Sequence, residues 1–187
     1  MKSTVIFVQL LALVSVLLAA GCRHETHIET PVAVAPLAPV EPVQTNGSDD
    51  VFTGERVEKT IDEWRALLTA DQFDVLREEG TEPAYTGEYN DNHDDGNYYC
   101  AACHLKLFSS KHKFESGTGW PSFYQPVNAK NVTEKSDTAY GVTRTEVECS
   151  RCGSHLGHVF DDGPKPTGLR YCMNSVALKF ERETPTN

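Results

Sequence analysis

The spacing of hydrophobic and polar positions divides this chain into stretches of different character. Residues 5–20 are almost wholly apolar and follow the basic Lys2. Such a run is too short for a comfortable membrane span and ends in small residues, the form of an export signal. Residues 23–50 hold Pro31, Pro36, Pro39 and Pro42 among valine, alanine and small polar residues, with no aromatic and no regular period. They read as an extended tether, reaching about 90 Å at roughly 3.1 Å per residue. Periodicity begins after residue 51. Thr60-Ile61-Asp62-Glu63 is a capping box ahead of Trp64, Leu67 and Leu68, which are spaced to share one helix face. Thr69-Ala70-Asp71-Gln72 repeats the device before Phe73, Val75 and Leu76, with Gly80 as the stop. Beyond Gly80 the runs at 98–99, 139–147 and 171–180 are β-rich, and Gly, Pro, Asn and Asp separate them. The expected fold is mainly β (α+β): one domain over residues 51–187, with short helices at its front edge and antiparallel strands behind them.

Charge narrows the partners. Lys2 is the sole charged residue in 1–21, so losing that segment takes the formal net charge from -10 to -11. An acidic domain does not seek nucleic acid or anionic lipid through its charge. Membrane contact is therefore expected through an anchor only. Leu18-Ala19-Ala20-Gly21-Cys22 resembles the lipobox of bacterial lipoproteins. The resemblance implies a signal peptide at 1–21, cleavage before Cys22, lipidation of Cys22, and a tether at 22–50. One acyl chain anchors only marginally, and lipoprotein-type modification supplies more than one. Arg23 after that cysteine fits sorting to the outer rather than the inner membrane, so the expected location is the cell envelope, facing the periplasm. An ordinary secretory signal with an incidental Cys22 leads to the same compartment, where disulfides are permitted.

The chain has six cysteines. Cys100-x-x-Cys103 and Cys149-x-x-Cys152 form two pairs with 45 residues between them. Two such knuckles complete a closed tetrahedral site, read here as one structural zinc ion per chain, with disulfides as the alternative. Cys172 belongs to neither pattern. If Arg170-Tyr171-Cys172-Met173-Asn174 is a strand, then Arg170, Cys172 and Asn174 share a face. A guanidinium beside a thiol favours the nucleophilic thiolate; a buried inert cysteine is the alternative reading. The segment 116–123 packs Gly117, Gly119, Trp120 and Pro121 into a tight loop, where Trp120 and Phe123 either wall a pocket for a small apolar group or fill the core. His155 and His158 directly follow the second knuckle. His158 can carry protons near neutral pH, with a carboxylate such as Asp162 to hold its ring. Four thiolates already satisfy the metal, which leaves both histidines outside the ligand set.

With these motifs assembled, the domain resembles the B-type methionine sulfoxide reductases, which act on the R epimer. The resemblance spans about 64–180 and rests on Thr81-Glu82-Pro83-Ala84-Tyr85-Thr86-Gly87-Glu88-Tyr89, Cys100-Ala101-Ala102-Cys103, and the segments 116–123, 149–163 and 170–175. It implies two antiparallel sheets with N-terminal helices and a four-cysteine zinc site at one end. It further implies Cys172 as the nucleophile that attacks the sulfoxide sulfur and His158 as the general acid. His155, Asp162, Arg170 and Asn174 would shape the site, and Trp120 would pack the S-methyl group of oxidised methionine in proteins or peptides. One position departs from many members. Where they carry a resolving cysteine in a Ser-Gly-Cys-Gly-Trp loop, this chain has Thr118. The expectation is therefore a one-cysteine enzyme whose Cys172 sulfenic acid is reduced by an external thiol from a thioredoxin-like protein. A non-catalytic, zinc-stabilised binding module is the contrasting class, and a nucleophile paired with an acid argues against it.

Overall fold

The computed structural model describes residues 51–183. The signal, Cys22 and tether expected in residues 1–50 lie outside the described residues. Two short helices lead, α1 (Ile61–Leu67) and α2 (Ala70–Glu78). Both capping boxes form. Thr60 Oγ1 accepts from the Glu63 amide and the Glu63 carboxylate accepts from the Thr60 amide at 2.7 Å; Thr69 and Gln72 repeat the exchange.

Two local expectations are corrected. The face Trp64–Leu67–Leu68 buries only Trp64, because α1 stops after two turns and Leu68 passes into extended backbone toward the Thr69 cap. Leu67 is left 54% exposed. At the end of α2 the left-handed residue is Glu79, at φ 59°, rather than Gly80. The Gly80 amide bonds the Asp74 carbonyl at 3.0 Å, and a side chain at Gly80 would overlap that of Asp74. The apolar face of α2 is as expected, with Phe73, Val75 and Leu76 all buried.

Among the described residues nine strands follow: β1 (Gly96–Cys100), β2 (Lys106–Ser109), β3 (Lys113–Phe114), β4 (Ser122–Phe123), β5 (Val132–Asp137), β6 (Arg144–Cys149), β7 (His155–Phe160), β8 (Arg170–Met173) and β9 (Leu178–Arg182). They make two antiparallel sheets, ordered β2-β1-β9 and β3-β4-β8-β7-β6-β5. The β-rich run at 171–180 is two strands, one in each sheet, joined by a 3-10 turn at Ser175–Ala177. The first part of the 139–147 run is likewise a turn, Ala139–Gly141, before β6 begins.

The core lies between the sheets. Tyr98 of β1 meets Phe123 of β4 edge-on at 5.0 Å, and Phe123 stacks on Phe108 of β2 at 4.5 Å. Phe123 is fully buried, so it joins the sheets and walls no pocket. Among the described residues no helix is long and apolar enough to cross a membrane.

Candidate active site

Strand register brings the chemistry together. In the β7–β8 ladder Cys172 lies directly opposite His158, and Ser122 of β4 faces Cys172 from the other side. Side chains directly opposite one another on antiparallel strands share a face, with Cβ atoms about 5 Å apart. Tyr171 and Met173 point the other way, into the core. His155 and His158 are three residues apart, a separation that would put them on opposite faces of a regular strand. They meet nonetheless, with ring centroids 5.4 Å apart. The cause is a bulge. Val147 pairs with Gly157 and Glu148 with His155, so Leu156 is an extra residue that flips the alternation. The freed Leu156 carbonyl accepts both the backbone amide and the Nδ2 of Asn174, at 2.9 and 3.1 Å. Gly157 is required here, since a Cβ would overlap the Cys172 carbonyl.

A cleft of about 130 Å³ opens over Cys172, lined by Trp120, Arg144, His158, Phe160 and Asn174 among others. A larger cleft of about 610 Å³ runs along α2 and the 81–89 segment, but it contains no cysteine or histidine. Chemistry, not size, selects the smaller one. Arg170 reaches Asp162 through two 2.8 Å bonds and lies over the Phe160 ring at 4.4 Å. The Asp162 bond, and then the neighbouring Cys172, hold the Arg170 pKa above its ordinary value. The guanidinium is thus a fixed positive charge beside the sulfur.

The carboxylate on His158 is Asp137, not Asp162. His158 Nε2 lies 2.8 Å from Asp137 Oδ2, and Asp162 is taken up by Arg170. Asp137 also accepts the Ala139 amide at 2.8 Å and Arg144 Nη2 at 2.6 Å. The amide bond first, and then His158 and Arg144, bring its pKa down to about 2, so it stays ionised and accepts throughout. That bond places the His158 proton on Nε2 in the neutral ring. Burial pulls the His158 pKa below its usual value, opposed by Asp137 and reinforced by Arg144 and His155. His155 is buried, its Nδ1 2.6 Å from the buried Glu146 carboxylate.

The four paired cysteines meet in one cluster. Their sulfurs lie within 4.8 Å of one another, with Cys100–Cys152 at 3.7 Å and Cys103–Cys149 at 3.5 Å. All four thiols are free. Four sulfurs at 2.3 Å from a central ion stand about 3.8 Å apart, so the cage fits a tetrahedral metal. The two knuckles are built alike. In each, the first cysteine's carbonyl accepts the amide of the residue four places on, His104 or Gly153, and both of those residues are left-handed. Arg77 of α2 ties the helix to the second knuckle through the Cys152 carbonyl and Ser154 Oγ, both at 3.1 Å.

The family described as SelR domain matches residues 68–182. The peptide methionine sulfoxide reductase MsrB of Thiobacillus denitrificans is 62% identical over 122 residues, covering 65% of this chain and 92% of that protein. The chain belongs to the B-type methionine sulfoxide reductases. Proteins of the same name from Leptospira interrogans and Methanosarcina barkeri are 56% and 58% identical, each over 127 residues and 68% of this chain, and over 97% and 89% of their own lengths.

Within this B-type reductase, Thr118 stands in the tryptophan loop with its Oγ1 3.8 Å from Cys172 Sγ. Ser116 Oγ bonds both Thr118 and Ser122, at 2.8 and 2.7 Å, and fastens the loop to β4. Asp137 and Arg144 were not among the residues expected to serve the site. They close the β5–β6 hairpin as an opposed pair, and no local pattern marks a hairpin end as facing a histidine two strands along. The opposite charges at the ends of two adjacent β runs are the one signal that could have found them.

Proposed function

We propose that this chain reduces the R epimer of methionine sulfoxide, chiefly in peptides and proteins, with Cys172 as nucleophile and His158 as proton donor. The supporting observation is the direct pairing of Cys172 with His158 across β7 and β8, under a cleft walled by Trp120. The Cys172 sulfur, beside the Arg170 guanidinium, attacks the sulfoxide sulfur. His158 protonates the departing oxygen, which ends on Cys172 as a sulfenic acid while methionine leaves with the electron pair. Sulfur in the substrate is reduced by two electrons and Cys172 is oxidised by two. Two external thiols then return Cys172 to the thiol, yielding water and a disulfide. Thr118 supplies a hydroxyl where a resolving thiol would sit, and the other described cysteines form the metal cage, so the reductant is a separate thioredoxin-like protein. Trp120 packs the methyl group, Asn174 and His155 set the polarity, and Asp162 fixes Arg170.

The four-cysteine cage holds zinc, which ties the two knuckles together and takes no part in the reaction. The chain is exported, cut before Cys22, acylated there and held by residues 22–50 on the periplasmic side of the outer membrane, where it repairs oxidised envelope proteins. Turnover of the R and S epimers of a blocked methionine sulfoxide with dithiothreitol, for wild type and Cys172→Ser, tests the chemistry. R-selective turnover that disappears in the variant supports the reading. No turnover of either epimer by a folded, zinc-loaded protein sinks it. For the anchor, Cys22→Ala should abolish labelling by radioactive palmitate and release the protein from the membrane fraction; an unchanged label rejects Cys22 as the acylated residue.

A further inference from the structure

We propose that Glu82 is a positioning residue of this active site, a strut that sets Trp120 and Asn174 about Cys172 and so fits the cleft to a methyl-bearing sulfoxide; this rests on the reductase reading above. Four hydrogen bonds converge on this one residue. Its carboxylate accepts the backbone amides of Ser175 at 2.7 Å and Val176 at 3.0 Å. Its own amide donates to Asn174 Oδ1 at 3.1 Å, and its carbonyl accepts Trp120 Nε1 at 3.0 Å. The partners lie 38 and 92 to 94 positions away, so these bonds are tertiary and not a local turn.

The two carboxylate bonds are charge-assisted and therefore the strongest of the four. They hold the first turn of Ser175–Ala177, the segment that carries the chain away from Cys172 and Asn174. Asn174 is then gripped at both ends. Its oxygen takes the Glu82 amide, and its nitrogen gives to the bulge carbonyl of Leu156. That donor and acceptor pattern admits one orientation of the amide group. The Trp120 ring is anchored from the same point, by the Glu82 carbonyl. One residue thus couples the apolar wall of the cleft to its polar floor.

The surrounding chain is shaped to admit this carboxylate. A side chain at Gly87 would overlap Glu82 Oε1 and Ser175 Oγ, so the 81–89 segment can close over the carboxylate only with glycine there. The Tyr89 amide bonds Ser175 Oγ at 3.2 Å and completes the closure. Charge matters as well as shape. Glutamine in place of Glu82 would accept one amide and set its own NH₂ against the other.

The test uses the zinc-loaded mature chain with dithiothreitol as reductant. It compares the R sulfoxides of blocked methionine and blocked ethionine for wild type, E82A, E82Q, W120F and the double variant E82A/W120F. The expected result for E82A is a KM for the methyl substrate raised about tenfold, the scale of one lost hydrogen bond to a charged group. Its preference for methyl over ethyl should narrow, E82Q should fall between, and zinc content and the rate of Cys172 alkylation should stay as in wild type. The double variant should lose less than the two single variants combined, because part of the E82A loss passes through the Glu82 carbonyl to Trp120. Wild-type KM and preference in E82A overturn the proposal, as do losses that simply add to those of W120F. If E82A does not fold, the same measurements on E82Q decide the proposal in the same way. If W120F alone changes neither quantity, the reading of Trp120 as methyl wall fails; E82A must then lower kcat through Asn174, or the strut falls with it.

Discussion

Thr118→Cys turns the geometry of the tryptophan loop into a direct assay of the one-cysteine mechanism. Thr118 Oγ1 stands 3.8 Å from Cys172 Sγ, so a cysteine sulfur there needs to approach by less than about 2 Å to reach disulfide length. Gly117 and Gly119 flank it in left-handed conformations, at φ 71° and 91°, and nothing lies within 4 Å of where a Gly117 Cβ would be. The loop is open on the Gly117 side, while the Tyr85 hydroxyl and amide bond the Gly117 and Gly119 carbonyls at 2.6 and 2.8 Å, so closure moves Thr118 between two held carbonyls. Losing the Thr118 hydroxyl removes its bond to Ser116, a half-buried contact whose loss costs on the order of 1 kcal/mol, so the fold tolerates the change. Once Cys172 is a sulfenic acid, the new thiol acts intramolecularly, at an effective concentration of about millimolar or above. Below that concentration of dithiothreitol, loss of the sulfenic acid should become independent of external thiol. The assay is one turnover without reductant, quenched with dimedone and read by mass spectrometry. Wild type should carry the dimedone adduct on Cys172, and Thr118→Cys a disulfide between residues 118 and 172. Quantitative dimedone labelling in the variant would refute the inference that this loop position faces the oxidised sulfur, and a Cys172 disulfide in wild type would end the one-cysteine reading.

Other outcomes follow from the same geometry. Asp137→Asn removes the group that opposes the fall of the His158 pKa. The acid is competent only while protonated, so its contribution is present below its folded pKa and lost as pH rises through it. That limb, already below the ordinary histidine value, should move to still lower pH in single-turnover profiles, with slower turnover at pH 7; an unmoved limb would mean that His158 is not the acid. Phe123→Leu should cost on the order of 1–2 kcal/mol in urea denaturation and leave KM unchanged, since the ring lies between the sheets. A raised KM without lost stability would restore it as a pocket wall. Cys149→Ser should abolish stoichiometric metal by elemental analysis and lower the melting temperature by tens of degrees; a stable, fully active, metal-free variant would show the cage to be dispensable.

Some of this protein was written locally and could be read in one dimension. Thr60 and Thr69 cap helices through partners three residues away, and both boxes form because such bonds need nothing beyond the turn itself. The two Cys-x-x-Cys knuckles are legible for the same reason. Each is a closed loop of a few residues, and only their meeting is tertiary. Cys172 stood out by elimination among six cysteines, with Arg170 two positions before it. What the sequence left open depends on contacts across long separations. The strand period of two would set His155 and His158 on opposite faces, until one extra residue at Leu156 brings both to the same side. Asp137 rather than Asp162 holds His158, because hairpin pairing carries a residue 21 positions upstream alongside β7, while Asp162 is drawn to Arg170. Phe123 sits close to Trp120 in the chain yet turns into the core, because β4 alternates faces there. Residue type and short spacing supply the chemical groups of the site. Which group faces which is decided by register, bulges and chain reversal, since those fix distances that no local interaction can set.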